Sequence, residues 1–367
     1  MTENRRGLTV VSLFSGAGGL DLAACRTGKV KRLFSTDSNS TFLRTVVDNI
    51  PRHFPGMDHR YICSDVCDLN GEAIRKALGR AKIDLLIGGP PCDDFTSFGR
   101  KKGMRGDKAP LVFEYARLVE EIKPTAFLFE NVPFLKMRFS DVFNMLQERL
   151  ALIGYRLKTS ILEASAFGSP TMRKRLFLVG TLDLRAVRDV SFPTSTHGDT
   201  TTEPSLFGAE TALAPYVLVA DVLKDLPDVQ KIIPSDYLNH TGRNHSPETV
   251  EHMRSVPQGV AVKKSYRYRA PWKGLCRSLT AGMDNSTKSY IHPVFHREMS
   301  VREYARIHGF PDSWFFNGTH HNGIKQVANS VPIPLGGAVL TALVKALPLQ
   351  SREKMRTVDP VDFNCHP

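Results

Sequence analysis

The stretch Phe14-Ser-Gly-Ala-Gly-Gly-Leu-Asp21 decides which fold the rest of the chain is expected to adopt. It follows a β-rich run that ends at Phe14, and it opens a helical pattern. Glycines at such a strand-to-helix turn allow a tight bend and let a ligand approach the backbone closely. Their spacing differs from the dinucleotide fingerprint, because the third glycine directly follows the second. The turn therefore predicts a nucleotide-type site, whose identity the other motifs must define.

Outward from this turn, short β-rich runs alternate with helical patterns through the first half of the chain. Helices are predicted at 110–122 and 141–153, where apolar residues recur at intervals of three and four. Two more strands, 156–162 and 175–180, follow without a long helix between them, so we expect that last pair to be antiparallel. The earlier strands are predicted to end at Phe14, Asp37, Ser64, Gly88 and Glu130. This alternation predicts an α/β fold with an open, mostly parallel sheet.

Acidic residues follow the glycine turn at the next two strand ends. Asp37 ends the second strand about twenty residues after the turn, where a carboxylate can accept hydrogen bonds from both ribose hydroxyls. Asp65 stands at the end of the third strand. Three consecutive strand ends that each offer an adenosine-type contact favour a cofactor cleft over a purely structural turn.

The fourth strand leads into Gly88-Gly-Pro-Pro-Cys92. Two prolines hold the chain extended and present the thiol at the carboxyl edge of the sheet, where open α/β folds bind ligands. A cysteine is more often a small buried apolar residue, but this position favours a nucleophile. The fifth strand ends at Glu130-Asn131-Val132, which would place a carboxyl group beside Cys92 in one cavity.

Charge and cysteine usage narrow the class of protein. The 367 residues carry 49 Lys and Arg against 37 Asp and Glu, a net charge of +12. This balance favours an extended anionic partner such as nucleic acid, although simple solubility explains it about equally well. Six scattered cysteines form neither a disulfide framework nor a zinc site, and Cys63 and Cys67 are interpreted as half-buried thiols. No run of about eighteen apolar residues and no signal core are found, so we expect a soluble intracellular protein without a membrane segment.

The composition changes after Thr181, where Ser, Thr, Pro and Gly crowd residues 191–215. A helix is expected at 217–226, and a buried apolar helix, opened by a proline, at 334–347. The segment Tyr266–Lys273 (YRYRAPWK) interleaves aromatic and basic residues, which suits either phosphates and exposed bases or a solvated strand edge. The predicted domains are 1–188 with 324–347, and 189–323, while 348–367 is expected to be a disordered tail.

Taken in order, FSGAGG, GGPPC, ENV, Arg173-Lys-Arg175 and Gln326-Val-Ala-Asn-Ser-Val-Pro332 resemble the motif series of DNA cytosine-C5 methyltransferases. The similarity covers roughly residues 9–346 and leaves mainly 183–275 unmatched. It implies a Rossmann-like, S-adenosylmethionine-dependent methyltransferase fold: a mixed sheet with helices on both faces, plus a smaller target-recognition domain. Further matching segments are Arg277–Thr280, His292–Pro293, Arg297 and Phe310–Asp312.

The resemblance also implies a chemistry. Cys92 would add to C6 of cytosine, making C5 nucleophilic enough to accept the sulfonium methyl group. Glu130 would protonate or hydrogen-bond N3, which requires a carboxyl group that retains its proton near neutrality. Arg175 would hold O2 and favour the thiolate form of Cys92, and Arg173 of the same pair would join it in catalysis. The target atom is inaccessible in a duplex, so the base would be flipped out.

The same resemblance implies that the chain binds S-adenosyl-L-methionine and releases S-adenosyl-L-homocysteine, without a metal. Phe14 would stack on or pack beside the adenine. Residues 96–106 resemble a mobile loop that closes over flipped DNA. The implied cofactor contacts are Phe14, Gly16, Gly18, Gly19, Leu20, Asp37, Asp65, Pro90 and Asn329. The expected DNA contacts are Thr96, Arg100, Lys101, Lys102, Arg243, Arg267 and Arg269.

Departures from the family pattern leave alternatives open. The chain has Asp93-Asp94 after Cys92, where the family usually has Gln and often Gly, and His308 where Gln is frequent. Thr96 and Thr171 also depart from the pattern. A transfer-RNA methyltransferase of the same fold and a catalytically inactive DNA-binding homologue are the competing interpretations, whereas GGPPC does not fit an amino-methyltransferase. The preferred hypothesis is a monomer in the cytoplasm of a prokaryote, or encoded by a phage, that acts on double-stranded DNA, with a possible separately encoded restriction endonuclease.

Overall fold

The structure, a computed structural model, describes residues 7–91, 110–182, 190–200, 213–231, 233, 237–262, 267–279 and 290–347. The chain divides into two compact units. The first combines Met1–Leu162, Arg175–Pro193 and Gly336–Pro367, and the second combines Glu163–Lys174 and Thr194–Leu335. The division differs from the predicted domains in three places. Residues 163–174 join the second unit, where their short strand pairs, and residues 324–335 also belong to the second unit instead of completing the first. Residues 189–193 belong to the first unit.

The chain before residue 183 alternates strands and helices. The strands are β1 Leu8–Leu13, β2 Val30–Asp37, β3 Asp58–Cys63, β4 Leu85–Gly88, β5 Ala126–Asn131, β6 Arg156–Glu163, β7 Thr171–Met172 and β8 Lys174–Thr181. The helices are α1 Gly19–Arg26, α2 Ser40–His53, α3 Gly71–Ala77, α4 Pro110–Ile122, α5 Phe134–Arg138 and α6 Ser140–Leu152, followed by a 3-10 turn at Ala164–Phe167. The first five strands end within one residue of their predicted ends, and α4 has its predicted bounds.

A seven-stranded sheet, in the order β3-β2-β1-β4-β5-β8-β6, forms the centre of the first unit. The first five strands in this order are parallel and closely in register. Leu13 pairs with both Thr36 and Gly88, and Asp37 pairs with Cys63. The carboxyl ends of β1 to β5 therefore lie side by side at one edge of the sheet, as in other open α/β folds.

Strand β8 is antiparallel to β5, with Glu130 opposite Phe177 and Asn131 opposite Leu176. Because it runs the opposite way, its amino end lies at the edge where the parallel strands have their carboxyl ends. Arg175, near the start of β8, is thereby carried to the edge that also holds Glu130.

Apolar side chains fill the interior around this sheet. Strand β5 is buried along its whole length, which is typical of a strand covered on both faces. Tyr115 of α4 meets Phe127 and Phe129 edge-to-face, with ring centroids 6.2 and 5.2 Å apart, and Phe127 makes a similar contact with Tyr155. This core fixes the strands whose ends build the candidate site.

The second unit combines short strands with helices. Its later strands are β9 His197–Gly198, β10 Ala214–Pro215, β11 Ala261–Val262, β12 Arg267–Arg269, β13 Cys276–Arg277 and β14 Tyr290–Ile291. The helices that follow β10 in the chain are α7 Val219–Leu223, α8 Pro247–Ser255, α9 Val301–Ile307 and α10 His320–Asn329. Helix α11, Ile333–Ala346, comes next and lies mostly in the first unit, which resumes at Gly336. Strands β11, β12 and β14 form one small sheet, and β13 pairs with β7. Helix α7 is shorter than predicted, whereas α11 begins and ends one residue before its predicted bounds.

The span His320–Ala346 is long and apolar enough to cross a membrane by composition alone, with a mean hydropathy of 1.6 over its best window. Its second half contains the buried apolar helix that the sequence predicts at 334–347. In the structure the span forms two helices, α10 and α11, separated by Ser330–Pro332, and 67% of that window is buried inside the protein. A buried core helix passes the same test of length and composition.

Candidate active site

The glycine turn after β1 adopts the backbone conformation that its sequence predicts. Gly16 and Gly18 have φ values of 55° and 79°, the left-handed region in which a side chain is strained. Phe14 adopts a φ of 54° although it is not glycine, and such strain collects at functional sites. The Gly18 N–H donates to the Ser15 carbonyl at 2.8 Å, and Gly18 then caps helix α1. The turn thus brings a run of backbone to the edge of the sheet.

Asp37 closes this turn from the neighbouring strand. Its Oδ2 accepts the Gly16 N–H at 2.8 Å, and its Oδ1 accepts the Asn39 N–H at 2.9 Å. Burial raises the pKa of Asp37, while these two backbone hydrogen bonds oppose the rise. Each carboxylate oxygen has a second lone pair, so the group can still accept from the two hydroxyls of a ribose. The arrangement fits the adenosine portion of the implied cofactor.

Asp65 lies beyond β3 and is exposed. Its Oδ1 accepts the Cys67 N–H at 2.9 Å, and its charge contributes to the raised pKa of Asp37, so the two carboxylates lie near each other. Gly19 and Leu20 begin α1 and are buried. The structure therefore groups these predicted cofactor residues around one turn.

A fully buried carboxylate lies behind the turn and was not assigned from the sequence. Asp21, on α1, accepts from the Ser12 hydroxyl at 2.9 Å and from the Ser35 hydroxyl at 2.6 Å. Ser12 in turn accepts from the Ser15 hydroxyl at 3.0 Å. The side chain ties α1 to β1 and β2, and its burial raises its pKa to about 6. The signal in the sequence was an acidic residue inside an otherwise apolar first helical turn.

The segment after β4 packs directly on the carboxyl group of Glu130. A Cβ atom on Gly89 would lie 2.4 Å from Glu130 Oε2, closer than real Cβ atoms come. The next residue, Pro90, is buried, and its carbonyl accepts from Asn131 Nδ2 at 3.2 Å. A side chain at position 89 would therefore have to displace the end of the Glu130 side chain. Asn131 ties the Pro-Pro segment to β5 through its hydrogen bond to the Pro90 carbonyl.

Glu130 and Arg175 form a close ion pair at this edge. The Arg175 Nε donates to Glu130 Oε1 at 2.8 Å, and the two side chains are only 11% and 10% exposed. The pair combines a cation and a carboxylate that could face one planar, polar ligand.

Several predicted residues fall outside the described residues. They include the nucleophile candidate Cys92, Asp93 and Asp94, and also Thr96, Arg100, Lys101 and Lys102. The described chain reaches Pro91, one residue before Cys92. The expected disordered tail, 348–367, likewise lies outside.

The catalytic role predicted for Arg173 does not fit its position. Its side chain is 2% exposed, and its guanidinium donates to the carbonyls of Leu279 and Ala328 and to the Ser278 hydroxyl. All of these partners belong to the second unit. A guanidinium enclosed by main-chain carbonyls stabilises the fold and is not presented to a substrate.

The DNA contacts predicted for Arg267 and Arg269 are likewise not supported. Alternation along β12 does place both on one face, but that face is interior, with exposures of 9% and 4%. Arg269 donates to the carbonyls of Val256, His292 and Met253. Arg243 differs, because its side chain is 49% exposed while it pairs with Glu298 at 3.2 Å. Arg243 alone of these three is placed where an external anion could reach it.

Asn329 is the last residue of α10 and is exposed. It belongs to the second unit. Among the residues that the structure describes, no group of three or more His, Cys, Asp or Glu side chains could hold a metal ion.

Comparison with known proteins gives consistent results. The family model described as C-5 cytosine-specific DNA methylase matches residues 8–345. The chain is 30% identical over 381 residues to the Type II methyltransferase M.SacI of Streptomyces achromogenes, covering 93% of each protein. It is 28% identical over 355 residues to M1.HphI of Haemophilus parahaemolyticus, covering 92% of this chain and 87% of that one. An E. coli prophage protein of solved structure, described as a DNA modification methyltransferase, aligns with a TM-score of 0.72 and 26% identity over 92% of this chain and 99% of its own.

The buried carboxyl group of Asp21 predicts a distinctive dependence of stability on pH. Its pKa is about 6 in the folded protein against 3.8 for the free group, so folding takes up a proton between these values. This contribution is most favourable below about pH 4 and is lost as the pH rises towards 6, by about 3 kcal/mol in all. Asp21→Asn does not titrate, so the stability of the wild type relative to the variant should fall by that amount between pH 4 and 7. Urea denaturation at several pH values measures it.

Asp58→Asn is the control of opposite sign. Burial alone would raise the pKa of Asp58, but hydrogen bonds from Arg60 and Arg32 lower it below its ordinary value. The charge of Asp58 therefore stabilises the folded protein above about pH 4, and this stabilisation is lost as the pH falls. A difference between wild type and Asp21→Asn that stays constant from pH 4 to 7 would contradict the assignment of Asp21.

Proposed function

The chain belongs to the C-5 cytosine-specific DNA methylase family, and from this we propose that it methylates C5 of a flipped-out cytosine in a specific double-stranded DNA sequence through a covalent Cys92 intermediate. It is a DNA (cytosine-5-)-methyltransferase. The observation that carries the proposed mechanism is the Glu130–Arg175 pair, set at the sheet edge against the Gly-Pro-Pro segment that leads to Cys92.

The pair suits the polar edge of a cytosine. Arg175 would donate to O2, and Glu130 would meet N3, offsetting the charge that develops when a nucleophile adds to the ring. In the free protein the Arg175 Nε donates to Glu130 Oε1, so a bound base would have to replace this contact on both side chains.

Cys92 would supply the nucleophile. Its thiolate forms a bond to C6, and the electron pair of the C5–C6 double bond makes C5 nucleophilic. Loss of the C5 proton and departure of the cysteine sulfur from C6 would then restore the aromatic ring. S-Adenosylmethionine, when bound, supplies the methyl group from its sulfonium sulfur and leaves as S-adenosylhomocysteine. The turn at Phe14 to Leu20, with Asp37, Asp65, Pro90 and Asn329, would hold it.

The second unit would supply target recognition. Arg243 is the described candidate for a DNA phosphate contact, because its guanidinium is half exposed. The basic residues of the loop after Cys92 remain proposed DNA contacts. The relatives are Type II methyltransferases of bacteria, which supports a cytoplasmic enzyme of a prokaryote or phage. We further propose that the enzyme is a monomer and that a separately encoded restriction endonuclease accompanies it.

The covalent mechanism predicts trapping by fluorinated DNA. When every cytosine is replaced by 5-fluorocytosine, C5 carries fluorine instead of a removable proton, so the adduct cannot eliminate. Long amplified DNA of this kind needs no knowledge of the target sequence. With S-adenosylmethionine present, the wild type should give a complex that survives denaturing electrophoresis, and Cys92→Ser should give none.

Cys67→Ser is the matched control, because it removes an exposed thiol but leaves a hydroxyl that can keep the hydrogen bond to Asp65. It should trap DNA like the wild type. Trapping by Cys92→Ser would overturn the nucleophile assignment, and absence of trapping by the wild type would favour an inactive homologue. Trapping of fluorinated RNA in preference to DNA would favour the RNA methyltransferase.

Gly89→Ala should damage catalysis more than cofactor binding. The added methyl group would meet Glu130 Oε2 at 2.4 Å and force the carboxyl group away from its position. Misplacement by about 1 Å can lower a rate by about 100-fold, so we expect kcat to fall by about 10- to 100-fold with little change in cofactor affinity.

Gly337→Ala is the control for this change. A Cβ there meets nothing within 4 Å, and the residue lies within a helix. Its activity should match the wild type. Unchanged kcat in Gly89→Ala would show that the Glu130 carboxyl group need not occupy its observed position.

Asp37→Ala should weaken cofactor binding. It removes a charge-assisted acceptor for the ribose together with the bond to the Gly16 N–H, a loss of about 1.5 to 3 kcal/mol. Isothermal titration calorimetry with S-adenosylhomocysteine measures it. Asp48→Ala, which removes a carboxylate paired with Arg44 on α2, should bind as the wild type does. Equal affinity in both variants would remove Asp37 from the cofactor site.

A further inference from the structure

Both neighbours of Asn329 in the chain are anchored by buried side chains. On one side, the Ala328 carbonyl accepts from the guanidinium of Arg173. On the other, Ser330 Oγ lies 3.2 Å from Nδ1 of His308, a residue with no exposed surface. Asn329 itself is exposed. The backbone at Asn329 is therefore fixed on both sides, so little backbone entropy would be lost when its side chain binds a ligand.

The Arg173 anchor has a clear physical basis. Ala328 lies in the last turn of α10, where helix carbonyls lack partners within the helix. A cation at that end is also favoured by the helix dipole. The same guanidinium donates to the Leu279 carbonyl, just after β13, and β13 pairs with β7, just before Arg173. The end of α10 is thereby fixed to the strand pair.

The hydrogen-bond direction at the second anchor can be assigned. The Ser330 hydroxyl donates to the Val327 carbonyl at 2.7 Å, which uses its single proton. Ser330 Oγ must then accept, so Nδ1 of His308 carries the hydrogen in this contact. His308 stands where Gln is frequent in the family, and a glutamine amide can also donate.

We propose that Arg173 and His308 are positioning residues that hold Asn329 in the conformation that binds the cofactor, which rests on the proposed role of Asn329. Arg173 thus acts on the reaction through the end of α10 and does not touch a substrate. The two anchors act independently, since they reach Asn329 from opposite sides of the chain.

A double-mutant cycle with calorimetric measurement of S-adenosylhomocysteine binding tests this. Arg173→Lys keeps the charge but cannot reach two carbonyls in the same geometry, and should weaken binding about tenfold. Asn329→Ala should weaken binding at least as much. If Arg173 acts through Asn329, the double variant should bind no more weakly than Asn329→Ala alone.

Arg302→Lys separates positioning from general destabilisation. Arg302 is 1% exposed, lies in the same unit, and donates to the carbonyls of Leu238, Pro311 and Trp314. This variant should lower the unfolding midpoint as much as Arg173→Lys does, yet bind the ligand with wild-type affinity. If Arg302→Lys and Arg173→Lys lose equal affinity, the effect of Arg173 on binding is explained by lower stability alone, and the proposal is overturned.

If Arg173→Lys does not fold, variants of His308 provide a second, independent test of the proposal. His308→Ala should weaken binding, and His308→Gln, which restores a donor, should recover it. If Asn329→Ala binds weakly but Arg173→Lys and His308→Ala bind as the wild type does, then Arg173 and His308 do not position Asn329. The proposed role of Asn329 in cofactor binding would stand in that case. Wild-type binding by Asn329→Ala would instead remove that role, and the inference with it.

Discussion

The site depends on a single reversal of direction in the sheet. Because β8 is antiparallel to β5, it begins where the parallel strands end, and Arg175 meets Glu130 at 2.8 Å. A parallel strand in that place would carry its first residues to the opposite edge. The ion pair is largely buried, so either partner alone would be left as an uncompensated charge. The position of the Gly-Pro-Pro segment also follows from it, since Gly89 fits against the carboxyl group that Arg175 holds.

Most of the first unit could be predicted from the sequence. Most of its strands are apolar, and glycine or acidic residues lie at or near their ends, so both their existence and their ends are visible as local pattern. Helix α4 shows the same: its apolar spacing predicted Pro110–Ile122. The grouping of Asp37 with the glycine turn followed from one general fact, that parallel strands end at one edge. These features depend on neighbours in the chain or on a rule of topology.

The roles of individual arginines could not be predicted. Arg173 and Arg269 look like surface cations in a chain of net charge +12, yet both lie inside, where their planar guanidinium groups satisfy several carbonyls. Their partners are distant in sequence, so no local pattern could reveal the burial. Asp21 was missed for the same reason, because its serine donors come from β1 and β2. Some of the arginines that give this protein its positive net charge therefore stabilise the fold.

The chain path of the second unit, which we propose reads the target sequence, has a consequence for any exchange of specificity between relatives. The second unit consists of two separate pieces, Glu163–Lys174 and Thr194–Leu335. A chimera that transplanted only the longer piece would set a foreign strand against the resident β7, and foreign carbonyls against the resident Arg173. The shorter piece would have to be transplanted together with the longer one, or its twelve residues would have to be changed to those of the donor protein. Recombination at one pair of junctions would leave these contacts between non-matching residues, so new specificities in this architecture would arise more readily by substitution within the unit.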